Sequence, residues 1–278
     1  MSNSRLGLRT RLGQIRAYTE GATGGDADAT LFLTAAAITD ITITSAVQQL
    51  VIDLKGYGIW TKMKAVYPFV GGTAATHRWN LRDARSVDAA FYLDFFGGIT
   101  HSSNGVLFNG STGYANTKLV PSTALTLNST HISFYSRTTN IKNGARDFAV
   151  YENGDNPTMA LGTNTGVYLS DHYNYNNRIT GSIANAQGLF LGTRTSSTVH
   201  KLFRNGSQLG STATTANTNN LPAQALYIGV ENGGSVASGG WSDKQCAFAS
   251  IGDGLTDQEV SDLYTAVNTF QTTLSRNV

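Results

Sequence analysis

The stretch VYLSDHYNYNNRITG, residues 167–181, interleaves Tyr168, His172, Tyr173, Tyr175 and Arg178 with Asp171, Asn174, Asn176 and Asn177. Tyrosine offers a rigid apolar face, while amides and a carboxylate offer directed hydrogen bonds. A sugar ring, with one apolar face and a rim of hydroxyls, requires that combination. The same side chains would serve equally between subunits, or rest on a sheet and contact nothing outside the chain. Tyr135 and Arg137 in FYSRT, and Trp241 in a Gly-rich loop, are further candidates for the same patch.

Other chemistry is sparse. The histidines at 77, 101, 131, 172 and 200 show none of the short spacings of zinc ligands, so no zinc site is expected. There is no Gly-x-Ser-x-Gly elbow, phosphate-binding loop or dinucleotide fingerprint. Cys246, the single cysteine, lies in the apolar run CAFASI and is expected to be buried and inert. A net charge of +2 with 14% charged residues gives no whole-chain electrostatic case for nucleic acid. Arg5, Arg9 and Arg11 make a local basic arm, read as a tether or assembly contact. The N-terminal stretch lacks the continuous apolar run of a signal peptide or membrane span.

The elements that would position these residues follow from composition and period. Thirty glycines with abundant Thr, Asn and Ser suit many short strands joined by turns. Residues 17–44 read as a Gly/Ala/Asp connector that turns apolar from Leu31. In SAVQQLVIDLKGYGIW, the spacing of Val47, Leu50, Val51 and Leu54 predicts a helix capped by Thr44 or Ser45 and stopped at Gly56. IWTKMKAVYPF predicts a short second helix ended by Pro68, with Met63, Val66 and Tyr67 near one partner surface. The two would form an assembly element or a lid, and Leu50, Leu54 and Trp60 are candidate assembly contacts.

From about residue 85 the period becomes two. DAAFYLDFF offers Phe91, Leu93 and Phe95 on one side, HISFYSRT offers Ile132 and Phe134, and similar short runs recur to KQCAFASIG without a long helix between them. This pattern argues for an antiparallel sandwich. Asn205-Gly206 predicts a two-residue type I′ hairpin, with Val199, Lys201 and Phe203 on one face and His200, Leu202 and Arg204 on the other, one row in the core and one in solvent. The final helix has a Thr256/Glu259 capping box and a stripe of Val260, Leu263, Tyr264, Val267 and Phe270. The division expected is an N-terminal arm and helical region over 1–84 and a sandwich over 85–278.

In order, LFRNGSQLGS, LYIGVENGG and CAFASIGDGLTDQEVSDLY resemble the C-terminal half of laminin-G-like and concanavalin A-like domains, with Thr256, Glu259, Val260, Leu263 and Tyr264 matching the closing helix. GIWTKMKAVYPFVGG, NLRDARSVDAAFYLDFFGGITHSSNGVLFNGSTGYANT and LNSTHISFYSRT are similar to virion proteins of tailed bacteriophages, including those infecting Bacteroidetes. The resemblance implies a mainly β, concanavalin A-like (jelly-roll) antiparallel sandwich with a short C-terminal helix, preceded by a small helical region. It implies a tail- or fibre-associated structural protein, made in the bacterial cytoplasm and carried on the virion. Such a chain would join other virion proteins through its N-terminal region, form a homo-oligomer such as the trimer of many fibres, and could touch a host-surface glycan.

Two further implications of that fold need weighing. Related domains often hold calcium, for which Asp155 and Asn156, or Glu231 and Asn232, could supply hard oxygen ligands, although ordinary polar turns use the same residues. The fold also includes retaining glycosidases with Glu-x-Asp-x-x-Glu on one strand. That motif is missing here, and Asp94, the most interesting acid inside a strand pattern, has no second carboxylate on its strand. No enzymatic turnover is expected, with a polysaccharide hydrolase and a dedicated carbohydrate-binding module as the alternatives.

Overall fold

Alternation of apolar and polar residues does build strands through most of the chain. A computed structural model describes residues 25–152, 158–172, 177–216, 220–234 and 237–278. In chain order the elements are α1 (Ala27–Ala35), α2 (Ile41–Gly56), β1 (Met63–Tyr67), α3 (Ala74–His77), β2 (Asp94–Phe96), β3 (Ile99–Ser102), β4 (Gly105–Phe108) and β5 (Tyr114–Asn116). Then come α4 (Pro121–Ala124), β6 (Thr130–Ser136), β7 (Ala145–Tyr151), β8 (Thr158–Asn164), β9 (Val167–His172), β10 (Ile179–Ser182), β11 (Gly188–Ser196) and β12 (Val199–Arg204). The chain closes with β13 (Ser207–Gln208), β14 (Tyr227–Ile228), β15 (Glu231–Gly233), β16 (Ala237–Gly239), β17 (Gln245–Gly252) and α5 (Asp257–Thr273).

One sheet runs β13-β12-β11-β6-β17-β4-β3, with β1 also paired to β17, and the other runs β10-β9-β8-β7-β14-β5-β2. Pairing is antiparallel except between β15 and β7. This is a concanavalin A-like jelly-roll sandwich, mainly β and not closed into a barrel, with a short C-terminal helix and a small helical N-terminal region. Ile132, Phe134, Phe148, Leu161, Phe190 and Leu202 fill the space between the sheets. A second core lies outside the first sheet, where Tyr135, Leu191, Phe203 and Phe248 meet α2 and the Val260, Leu263, Val267 and Phe270 stripe of α5.

Several N-terminal expectations need correction. The presumed connector contains α1, capped by Asp26 and anchored by buried Phe32 and Leu33. Helix α2 starts a turn earlier than Thr44 or Ser45, because the Asp40 carboxylate accepts from the Ile43 amide. It ends at Gly56 as its pattern predicts. The second helix is a single 3₁₀ turn, Trp60–Lys62, followed by β1, which pairs with β17 from Met63↔Gly252 to Tyr67↔Ala249. Leu50, Leu54 and Trp60 are buried within the chain's own helix-side core, and the Trp60 indole donates to Asp28 at 3.1 Å, so they are not exposed contacts. Arg5, Arg9 and Arg11 lie outside the described residues.

The C-terminal expectations hold. Asn205 (φ 50°) and Gly206 (φ 77°) link Arg204 to its partner Ser207 in a two-residue turn. Both faces of β12 are covered, however: Leu202 enters the inter-sheet core and Phe203 the helix-side core, since α5 lies where solvent was expected. Thr256 and Glu259 form the capping box, and Cys246 is buried and free.

Candidate functional site

With one face of the first sheet under helices and the other inside the sandwich, the outward face of the second sheet is the strand face without a helical layer, exposed at its Phe96 end and buried at Ala149, Ala160 and Asp171. Ala115, Phe148, Leu161, Tyr168 and Ile228 point inward. Alternation therefore turns Tyr114, Asn116, Ala149, Ala160, Asp171 and Tyr227 outward. Register aligns them: Asp94 is opposite Asn116, Asn116 opposite Tyr227, Tyr227 opposite Ala149, Ala149 opposite Ala160, and Ala160 opposite Asp171. The row crosses five strand spacings, roughly 24 Å.

One end of the face is aromatic. Phe96 stacks on Tyr114 with ring centroids 4.9 Å apart, and Tyr114 stacks on Tyr227 at 5.0 Å. Trp241 meets Tyr114 edge-on at 6.1 Å. Phe96 is 44% exposed, and Tyr114 and Trp241 are half-buried. Below this tier Asp94 is ion-paired to Lys118 at 3.0 Å, and the Lys118 ammonium sits 3.8 Å from the Tyr92 ring centroid.

The other end is ionic. Arg178 grips Asp171 in a fork, Nε to Oδ1 at 2.9 Å and Nη2 to Oδ2 at 2.6 Å. Arg146 lies 3.6 Å from Glu231, which pairs with Ala149 on the neighbouring strand. Burial raises the Asp171 carboxyl above its usual range, with Arg178 opposing. Burial also raises Glu231, aided by the like charge of Asp171 and opposed by Arg146 and Arg178. Each carboxylate is thus held by its own guanidinium, while Ala149 and Ala160 lie buried between the aromatic and ionic ends.

This face unites Asp171, Arg178 and Trp241 from the sequence reading and separates the others. Tyr168 and His172 are one and three residues from Leu169, on the inward parity of β9. Tyr168 stacks on Phe190 at 3.6 Å and donates to Asp147 at 2.9 Å, and His172 lies 4.6 Å from His200, both rings fully buried. Neither can touch an external ligand. Tyr135 is buried beneath α5, where its hydroxyl accepts from the Val278 amide, and Arg137 donates to the Arg276 carbonyl and the Gln245 amide oxygen. Tyr173, Tyr175, Asp155 and Asn156 lie outside the described residues. Glu231 and Asn232 do not fit a shared calcium ion. They are consecutive on β15, so their side chains leave opposite faces; Glu231 faces Arg146, and the buried Asn232 amide donates to Ala225. Among the described residues no three His, Cys, Asp or Glu side chains gather as metal ligands would.

Phe96, Tyr114, Tyr227 and Arg146 escaped the sequence reading. The signal for the three aromatics is the outward parity of three short strands, DFF, YAN and YI, whose adjacency only the sheet order reveals, while Arg146 lies at the start of β7.

No protein-family model and no curated protein sequence matches the chain. Among solved structures it is similar to the binding domain of Paraclostridial Mosquitocidal Protein 1, with 13% identity and a TM-score of 0.49 over 74% of this chain and 52% of that one. It is similar to domain 4 of AbnA, a GH43 extracellular arabinanase from Geobacillus stearothermophilus, solved in complex with arabinotriose, with 14% identity and a TM-score of 0.45 over 73% and 98% of the two chains. It is similar also to the Ruminococcus gnavus IT-sialidase CBM40 bound to α2,3 sialyllactose, with 16% identity and a TM-score of 0.39 over 50% and 82%. The chain spans about half the length of the first of these.

Proposed function

We propose that this chain is a glycan-contacting β-sandwich carried on a phage virion, working by binding and architecture without turnover. The observation that supports the reading is the outward row of the second sheet, with a stacked Phe96–Tyr114–Tyr227 tier flanked by Trp241 at one end and the Asp171–Arg178 and Glu231–Arg146 pairs at the other. Aromatic faces take the apolar faces of sugar rings, and the partly exposed Arg178, Arg146 and Glu231 take their hydroxyls, with buried Asp171 holding Arg178 in place. Placement on a virion rests on the likeness of the three sequence segments quoted above, and assembly through the N-terminal region into a homo-oligomer belongs to the same reading.

A glycan array probed with the full chain tests the contact face. Expected affinities are millimolar to micromolar, about 4 to 8 kcal/mol per site. Trp241→Ala and Tyr114→Ala should each weaken binding about tenfold, near the worth of one stacked ring. Silence across the array, or binding unchanged in both variants, rejects the face. Release of new reducing ends from a bound polysaccharide would replace binding by hydrolysis. Light scattering of the full chain against one beginning at Gly25 tests the assembly role of the basic arm, and equal monomeric masses would reject it.

A further inference from the structure

Just past Trp241 the chain turns inward and carries Ser242 and Lys244 into the sandwich, where both are fully buried. Lys244 Nζ lies 3.1 Å from Asp147 Oδ1, and neither side chain has any exposed surface. Asp147 is also clasped by two neutral donors, the Ser242 hydroxyl to Oδ1 at 2.6 Å and the Tyr168 hydroxyl to Oδ2 at 2.9 Å. The Lys244 ammonium donates in addition to the Thr163 hydroxyl at 3.1 Å. A second carboxylate stands by: Asp243 Oδ1 is buried, 3.9 Å from Lys244 Nζ, and makes no hydrogen bond, while its other oxygen accepts from Asn140 at 2.5 Å.

A fully buried ion pair carries a desolvation penalty that its mutual attraction only partly offsets. Condensation to an amide removes both charges at once. The amine is already held against the carboxyl group, which is the positional advantage that makes intramolecular reactions fast. The Tyr168 and Ser242 hydroxyls are donors placed where negative charge would develop on the oxygens of a tetrahedral intermediate. We propose that Lys244 and Asp147 condense to an intramolecular amide crosslink.

In that step Lys244 Nζ, after passing a proton to the Asp147 carboxylate, attacks Cγ. Asp243 Oδ1 accepts a second proton from the nitrogen and returns it to the departing carboxyl oxygen, which leaves as water. The Nζ–Cγ bond forms and one Cγ–Oδ bond breaks. Of the three ammonium protons, one stays on the amide nitrogen and two leave with the oxygen. The charges of +1 and −1 cancel, and nothing is oxidised or reduced. The product ties β7 of the second sheet to the segment entering β17 of the first, a covalent staple across the two layers of a displayed domain.

Mass spectrometry of the denatured full chain tests this directly. The expected mass is one water below the mass of the uncrosslinked chain, and digestion should yield a branched peptide joining the segments around 147 and 244. Lys244→Met and Asp147→Ala should restore the full mass whether or not they fold well. Asp243→Asn should show mostly uncrosslinked chain with an unchanged circular dichroism spectrum, and a wild-type extent of crosslinking in that variant would overturn the proton route. Wild-type chain at full sequence mass after prolonged incubation, or a water loss that maps elsewhere such as Asp253-Gly254, would overturn the proposal.

Discussion

Acid should unfold this sandwich through its buried histidines. His77, His131, His172 and His200 are each at most 1% exposed. Burial pulls His77 and His200 down to about 3, the first assisted by His101 and Arg276 and the second by Arg194. Burial pulls His131 to about 4 against the raising effect of its bond to the Asp253 carbonyl, and holds His172 well below 6.5, with His200 and Arg194 adding to it. A folded value below the unfolded one means that the unfolded chain takes the proton first, so stability falls as pH drops below the ordinary histidine value of 6.5. Each unit of pH below it costs about 1.4 kcal/mol per group, so at pH 5 one such histidine contributes about 2 kcal/mol of lost stability and three contribute about 6. His172 adds to this, and Asp171 and Glu231, raised by burial, act in the opposite sense and offset part of it as pH falls through their raised folded values. A loss of that size approaches the whole stability of an ordinary domain, about 5–15 kcal/mol. Urea titrations at pH 7.5 and pH 5 should show the midpoint collapsing with an unchanged slope, and His200→Asn should shrink the difference by about 2 kcal/mol. A pH-dependent change below about 1 kcal/mol would refute the reasoning, since the rings would then have to be solvated or paired with carboxylates.

Other perturbations are more local. Thr256→Ala removes the hydroxyl that accepts from the Glu259 amide and should cost about 1 kcal/mol in urea unfolding. Phe270→Ala, at the junction of α5 with the helix-side core, should cost about 3–5 kcal/mol. Gly206→Val meets both a left-handed backbone at φ 77° and the Tyr264 ring 3.2 Å from an added Cβ, and should lower stability by about 1–2 kcal/mol. Calcium or a chelator should leave the melting temperature unchanged, because Glu231 faces Arg146 and Asn232 turns away from it; a calcium-dependent rise would show ligands elsewhere.

What could be read from the sequence was local. The Asn205-Gly206 turn and the capped, striped α5 are set by contacts within a few residues, and both stand where the pattern put them. Strand β1 was hidden because it is buried on both faces: Ala65 and Tyr67 enter the inter-sheet core while Met63 and Val66 enter the helix-side core. Such a strand reads as a short apolar run whose period does not distinguish it from a buried helix. The error at Tyr168 and His172 has another origin. Residues adjacent in VYLSDHY look like one patch, yet the two-residue period sends Tyr168 and His172 to one face and Asp171 to the other; the period was legible in the sequence, and which face is the core was not.

Which sheet face lacks a helical layer follows from where the helices pack. The apolar stripes of α2 and α5 must be buried on something, and they take the outward side of β12, β11, β6 and β17, supplied by Phe203, Leu191, Tyr135 and Phe248. Covering one sheet leaves the other sheet's exterior without a helical layer, and there alternate positions carry exposed Phe96, half-buried Tyr114 and buried Tyr227 and Asp171 in place of a second aliphatic layer. The helical region is therefore part of the sandwich's own packing. A chain begun at residue 85 would lose β1 from the edge of β17 and α2 from the helix-side core, leaving Tyr135, Leu189, Leu191 and Phe203 to water with only α5 above them. Exposed aromatic and aliphatic surface of that kind drives aggregation. The shortened chain is expected to be insoluble or molten, while a chain begun at Gly25 keeps the full chain's melting temperature; a soluble, cooperatively melting 85–278 fragment would show that the helices are an accessory layer.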